Sequence, residues 1–361
     1  MFSIHGGELA LRHLGAVVLI ACLALLAPSK ALGRAFVPPN HRIFHGVSDT
    51  DEIADYHVFN YRVGAHNALL QDFYHWATPL AGALERWGAT RTRGVLSLST
   101  APGGKPEVIS PGAVAHGRGD RYILRLNESI ANSGQVVYIR LFPEMNGHWN
   151  PYCAFNSDGT SRGASHSTRN FRQAWQRVVL IVRGGARAVI NRKLRRRGMP
   201  RIYRAGSNDD AVYERELVPR FLPHPKVAFM WVPQTIGSPN VSGNQPSDYW
   251  PGRRYVDWVG ADIYSKFATA GVRAALTSFY GHYDRRPFVV GEYSPWDNDY
   301  EGSFTRWLFH WAESNRRVRA LIYYRSVFPE NEFDINHWPA ARRVIRSHLN
   351  KHRFDPFPPG T

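Results

Sequence analysis

Val136-Val-Tyr-Ile-Arg-Leu-Phe-Pro-Glu-Met-Asn-Gly-His-Trp149 is the stretch on which the reading of the chain turns. It opens as a buried strand, because Val136, Val137, Tyr138 and Ile139 are β-branched or aromatic. It then becomes polar at its C-terminal end. Alternation along a strand predicts that Arg140, Phe142 and Glu144 share one face. A carboxylate therefore stands at the strand tip, followed by Asn146, Gly147 and Trp149. A second stretch, Pro287-Phe-Val-Val-Gly-Glu-Tyr-Ser-Pro-Trp296, has the same shape and ends in Glu292 with Trp296 beyond it.

Outward from these two stretches, strands and helices alternate. Strands are expected at Arg42–Val47, Ala68–Trp76, Arg93–Thr100, Val136 onward, Lys226–Gln234, Val256–Tyr264, Pro287 onward and Val318–Arg325. Helical spacing appears at Leu80–Trp87, Asp120–Ser133 with Asp120 as candidate cap, Thr168 to about Val189, Gly271–Tyr283, Phe304–Ser314 and Trp338–Leu349. Eight strands with intervening helices predict a parallel sheet closed into a (β/α)8 TIM barrel. The expected organisation is a signal peptide or membrane anchor at 1–31, a linker at 32–40, one catalytic barrel at 41–350 and a tail at 351–361. No dinucleotide-binding glycine fingerprint or phosphate-binding loop opens any helix.

The ends and the charge narrow the setting. Arg12 and His13 precede an apolar run from Leu14 to Ala27, and small residues at Ser29 and Ala31 suit cleavage. This predicts export, to the cell envelope or beyond, with an uncleaved anchor as the alternative. Leu19-Ile-Ala-Cys22 has the form of a lipobox, but the apolar run continues past Cys22. Cys153 is then the one remaining cysteine, which excludes an internal disulfide or a cysteine metal cluster. No His-Glu-x-x-His motif occurs, and Asp49, Asp51 and Asp55 lack the glycine and final Glu of a calcium loop. Neither metal nor cofactor is expected. The net charge is +16, from 45 Lys+Arg against 29 Asp+Glu, and part of it is concentrated between Arg183 and Arg204. In a barrel this basic insertion, 183–225, joins a helix to the next strand and so lies on the face opposite the chemistry. The charge suits anionic partners, a cell surface among them. Nucleic acid is not expected in an exported chain, and a monomer is.

Two strand-end glutamates at strands four and seven match the needs of a retaining glycoside hydrolase. One must act as nucleophile and the other as a proton donor of raised pKa, about 5–5.5 Å away. Tyr264, at the tip of strand six, is placed to hydrogen-bond Glu292. Many of the 11 Trp and 17 Tyr pack in the core, and some are expected to stack on sugar rings.

Arg140-Leu-Phe-Pro-Glu-Met-Asn-Gly-His-Trp149 resembles the strand-four signature of glycoside hydrolase family 26, whose typical members are endo-β-1,4-mannanases. Trp231-Val-Pro-Gln234, Tyr249-Trp-Pro-Gly252 with Val256–Tyr264, and Val290-Gly-Glu-Tyr293 resemble its later motifs, so the likeness runs from about 41 to 350. The resemblance implies Glu144 as acid/base, Glu292 as nucleophile, and Tyr264, Asn146 and Arg140 in support. Substrate contacts are expected from His75, Trp76, Trp149, Trp231, Gln234, Trp296 and Arg325. The chain departs from the pattern at Pro143, where the family has His, and at Gln234, where it has Asn. The substrate is thus open among mannan, xylan, β-glucan and an acidic exopolysaccharide, the last suggested by Arg325. A barrel that binds polysaccharide without cleaving it is the alternative outside enzymology.

Overall fold

The computed structural model describes residues 35–48, 52–202, 218–325 and 332–359. The proposed export signal at 1–31, the Leu19–Cys22 lipobox and residues 203–217 of the basic insertion lie outside them.

Eight parallel strands close into a barrel, as expected. They are β1 Phe44–Ser48, β2 Leu69–His75, β3 Arg93–Ser99, β4 Val137–Leu141, β5 Val227–Trp231, β6 Trp258–Tyr264, β7 Phe288–Ser294 and β8 Val318–Tyr323. Each pairs with its neighbours in sequence, and β8 closes on β1 through Phe44–Ala320 and Gly46–Ile322. The helices are α1 Ile53–Val63, α2 Ala81–Ala89, α3 Pro111–Ala115, α4 Asp120–Ser133, α5 Thr168–Val182, α6 Arg187–Arg195, α7 Ala270–His282, α8 Ser303–Ser314 and α9 Pro339–Leu349. α1 and the five-residue α3 were not expected from sequence, and α6 lies within the basic block of the insertion.

Alternation divides the strand residues between two cores. Phe44, Leu69, Val95, Tyr138, Met230, Trp258, Val289 and Ile322 fill the barrel interior. Their neighbours along each strand pack outward against the helices.

Four expectations are corrected. Residues 35–38 are not linker but a plug under the barrel. Trp258 Nε1 donates to the Ala35 carbonyl at 2.7 Å, Tyr138 Oη to that of Phe36 at 2.6 Å, and Arg319 to that of Pro38. The segment after 350 is likewise docked, with Arg42 Nη2 bonding the Phe354 carbonyl at 2.6 Å. Asp120 does not cap α4. It follows the Gly119 cap and instead forms a buried two-pronged pair with Arg177 of α5, at 2.6 and 2.5 Å. Finally, α5 ends at Val182 because Gly184 adopts a φ of 72° with the Pro223 carbonyl pressed against its Cα, which no side chain could tolerate.

No α-helix joins β5 to β6 among the described residues. The connection, 232–257, holds only 3-10 turns at Pro246–Tyr249 and Arg253–Tyr255. Its first half is bound instead to the loop after β4, and this positions the site.

Candidate active site

Glu144 lies three residues past the end of β4, in a turn no ideal strand would make. Phe142 and Glu144 both have positive φ, 45° and 50°. The strand's alternation stops there, so the expected common face is not formed. Arg140 points into the barrel, whereas Phe142 turns out to stack with Tyr152, ring centroids 5.4 Å apart. Such backbone costs energy and persists only where the surroundings impose it. Here Phe142 N bonds the Leu98 carbonyl and Glu144 N that of Val232, each at 2.8 Å. Tyr152 Oη donates to the Pro143 carbonyl at 2.7 Å.

Glu292 reaches the same cavity by a different device. Along β7, Val290 and Tyr293 both face the outer core, which strict alternation forbids. The ladders to β6 and β8 each slip between Val290 and Tyr293. The bulge at Gly291-Glu292 absorbs one residue and turns Glu292 inward. Gly291 is the narrow point, since a Cβ there would stand 2.8 Å from Asp262 Oδ1 and 3.2 Å from Arg140 Nε.

Arg140 is fully buried and forks between two carboxylates, Nη1 to Glu292 and Nη2 to Asp262. Tyr264 Oη donates to the other oxygen of Glu292. Glu292 thus has one oxygen on a fixed cation and the other on a phenol, a setting complementary to a carboxylate. Burial, and next the charge of Glu292, push the Tyr264 phenol well above its ordinary pKa, which keeps it a donor.

Glu144 is half-buried and held by neutral donors only. Trp149 Nε1 donates to Oε2 at 2.8 Å, and the Gln234 amide to Oε1. Burial first, and then the neighbouring Glu292, raise its pKa, against the opposing pull of Arg140 and Trp149. Asp262 touches Glu144 and is also raised, with burial again the first cause. Its Oδ1 is buried with no hydrogen-bond partner among the described residues. Three carboxyl groups crowd one guanidinium, so ionisation of Glu144 and of Asp262 is disfavoured.

The sequence-predicted residues divide clearly. Glu144, Glu292, Arg140, Tyr264, Trp149 and Gln234 come together. Asn146 belongs to this group, but its side chain is not free for a sugar. Its Oδ1 accepts from Gln234 N at 2.9 Å and its Nδ2 donates to the Gln234 carbonyl at 3.0 Å, fixing Gln234 against Glu144. Trp296 stands half-buried beside Tyr264, ring centroids 5.6 Å apart, with the Lys266 ammonium over its ring. His75 lies at the tip of β2, its Nδ1 3.0 Å from Thr78 Oγ1.

Two expectations fail. Trp76 is 3% exposed and packs on Tyr122 and Phe142 in the outer core. Trp231 is fully buried outside the barrel wall, against Trp250, Phe279 and Tyr283. Both residues fall on the outward phase of their strands, so neither is a sugar platform. Arg325, just beyond β8, pairs with Asp55 at 3.1 Å. Three aromatic residues at the mouth were missed. Phe73 is 42% exposed on the inward phase of β2, and its ring meets that of Tyr324, which in turn contacts Tyr264 and Phe333. The inward phase of Gln71, Phe73 and His75 was the available signal. Asp262 is not singled out by the sequence motifs, although its spacing of two from Tyr264 places both on one face.

No family model matches the chain, nor does any curated protein. Solved structures do. A mannanase from Bacillus subtilis superposes with a TM-score of 0.52 at 14% identity, covering 89% of this chain and 88% of that one. GH26A from a Muricauda species gives 0.52 at 12%, covering 91% and 96%. An endo-β-1,4-glucanase from Xanthomonas axonopodis pv. citri gives 0.51 at 11%, covering 85% and 98%. The shared feature is the (β/α)8 barrel.

Proposed function

We propose that the chain is an exported glycoside hydrolase that cleaves a β-linked polysaccharide by double displacement. The observation that carries this reading is the unlike treatment of two glutamates at one barrel mouth. Glu292 is gripped by Arg140 and Tyr264, and Glu144 has a raised pKa and neutral partners. The first would attack the anomeric carbon. The second would protonate the leaving oxygen and then deprotonate the incoming water. Phe73, Tyr324, Trp296 and Trp149 offer ring faces or edges to a sugar chain. The named neighbours act on mannan and on β-1,4-glucan, and a neutral polymer of this kind is the proposed substrate, mannan first.

The test is hydrolysis of mannan, xylan, β-glucan and acidic polysaccharides, with product stereochemistry followed in wild type, Glu292→Ala and Glu144→Ala. Retention in wild type is expected. Azide should rescue Glu292→Ala with inverted product and Glu144→Ala with retained product. Specific binding of a polysaccharide by all three proteins without any cleavage would replace the enzyme with a binding barrel.

A further inference from the structure

The mechanism uses carboxylates at the C-terminal ends of the strands. The opposite end of the barrel is arginine-rich, and nothing in the reaction calls for it. We propose that this strand-entry face docks on a bilayer surface of anionic phospholipid, with the catalytic mouth directed away from it.

The basic insertion is built as a platform on that face. Gly185–Ala186 pairs with Phe221–Leu222, and α6 packs Ile190 and Leu194 inward. The polar side of α6 is left outward. Arg187, Arg195, Arg201 and Arg220, with Asn191 and Ala188, line an open concavity of about 480 Å³. Arg187 donates to the Val218 carbonyl. None of the four guanidiniums has a carboxylate partner among the described residues, unlike Arg183, which pairs with Asp257 at 2.7 Å. Four like charges around one hollow repel each other unless an anion lies between them. Exposed Arg254 and Arg316, in the turns before β6 and β8, extend the same field around the barrel end.

Two further observations favour a lipid surface over a soluble polyanion. Phe221, next to Arg220, is 56% exposed, and an aromatic ring set among arginines suits the headgroup boundary. The chain also enters the fold here. Ala35 is buried in the plug beneath the barrel, and only residues 28–34 separate it from the apolar run Leu14–Ala27. Seven residues reach at most about 25 Å. A membrane holding that run would therefore lie within about 25 Å of this face.

The test is vesicle flotation of the full chain with phosphatidylcholine alone and with about a third phosphatidylglycerol. Anionic vesicles should be preferred by about a hundredfold at 0.1 M salt, and the preference should vanish at 1 M salt. Arg187→Gln, Arg195→Gln, Arg201→Gln and Arg220→Gln together should abolish the preference while leaving residual binding to neutral vesicles and the circular dichroism spectrum unchanged. Equal binding to both vesicles, or a preference that survives the four substitutions, would overturn the proposal. So would displacement from anionic vesicles by equimolar short DNA or alginate, which would assign the face to a soluble polyanion.

Discussion

Trp149 donates its indole N–H to Glu144 at 2.8 Å while its ring stays 52% exposed at the barrel mouth. One side chain thus holds the proposed acid and stays open to the barrel mouth. Gly147 makes this possible, because a Cβ there would come within 2.5 Å of the indole. Trp149→Phe keeps most of the ring and removes the donor. That donor lowers the pKa of Glu144, so its loss should move the alkaline limb of the kcat/KM profile to higher pH. A hydrogen bond to a charged group is worth about 1.5–3 kcal/mol, and the rate should fall about ten- to a hundredfold. An unshifted alkaline limb would show that Trp149 acts on the sugar alone.

Gly291 leaves little room beside the carboxylate cluster. Gly291→Ala would push a methyl group against Asp262 Oδ1, Val232 Cγ1 and Arg140 Nε, at 2.8, 3.1 and 3.2 Å before relaxation. Overpacking of this kind costs about 1–3 kcal/mol. Arg140 has no slack, being forked to two carboxylates, so Glu292 should be displaced as well. Urea unfolding should show the stability loss, and hydrolysis should fall by more than tenfold. Unchanged activity would mean that the bulge does not set the position of Glu292.

The barrel was legible because each strand is a short apolar run and each long helix carries its own period. Phe171, Trp175, Val178 and Val182 announce α5 without help. What was not legible depended on departures from period. Alternation misplaced Phe142, because positive φ at Phe142 and Glu144 ends the strand early. Alternation also fails at Glu292, where a bulge inserts a residue. Trp76 and Trp231 were read as platforms by residue type, when phase along the strand decides the matter and puts both in the outer core. The pairing of Arg325 with Asp55, 270 positions away, leaves no trace in either local sequence.

His45 gives the fold a handle on pH. It is buried in the outer core, with Nδ1 against the Asn67 side-chain oxygen and Nε2 2.5 Å from Tyr293 Oη. Nδ1 must therefore carry the proton and Nε2 accept from the phenol, which describes a neutral ring. Burial lowers its pKa to about 4 from 6.5. The unfolded chain then binds the extra proton first as the solution is acidified. This contribution to stability is complete above pH 6.5 and is lost as the pH falls towards 4, amounting to about 3 kcal/mol. Urea titrations between pH 7 and 4 should show the loss. His45→Gln should be less stable at pH 7 and show a shallower slope below it. Equal slopes in the two proteins would place the acid sensitivity elsewhere.

The protonation state of Asp262 can be read from two substitutions. The residue bonds Arg140 on one side and touches Glu144 on the other, and burial raises its pKa. If the carboxyl proton sits on Asp262, an asparagine is a close replacement. Its oxygen accepts from Arg140, and its amide donates towards Glu144 as the carboxyl did. Asp262→Asn should then keep kcat within about tenfold of wild type, and Asp262→Ala, which takes one partner from each neighbour, should lose a hundredfold or more. If instead Asp262 is ionised, the asparagine removes a charge that balances Arg140. Glu292 alone would then face the cation, and its nucleophilicity would drop. Asp262→Asn would in that case be nearly as damaged as Asp262→Ala. The ratio of the two kcat values, measured on one substrate at one pH, separates the two states of the cluster.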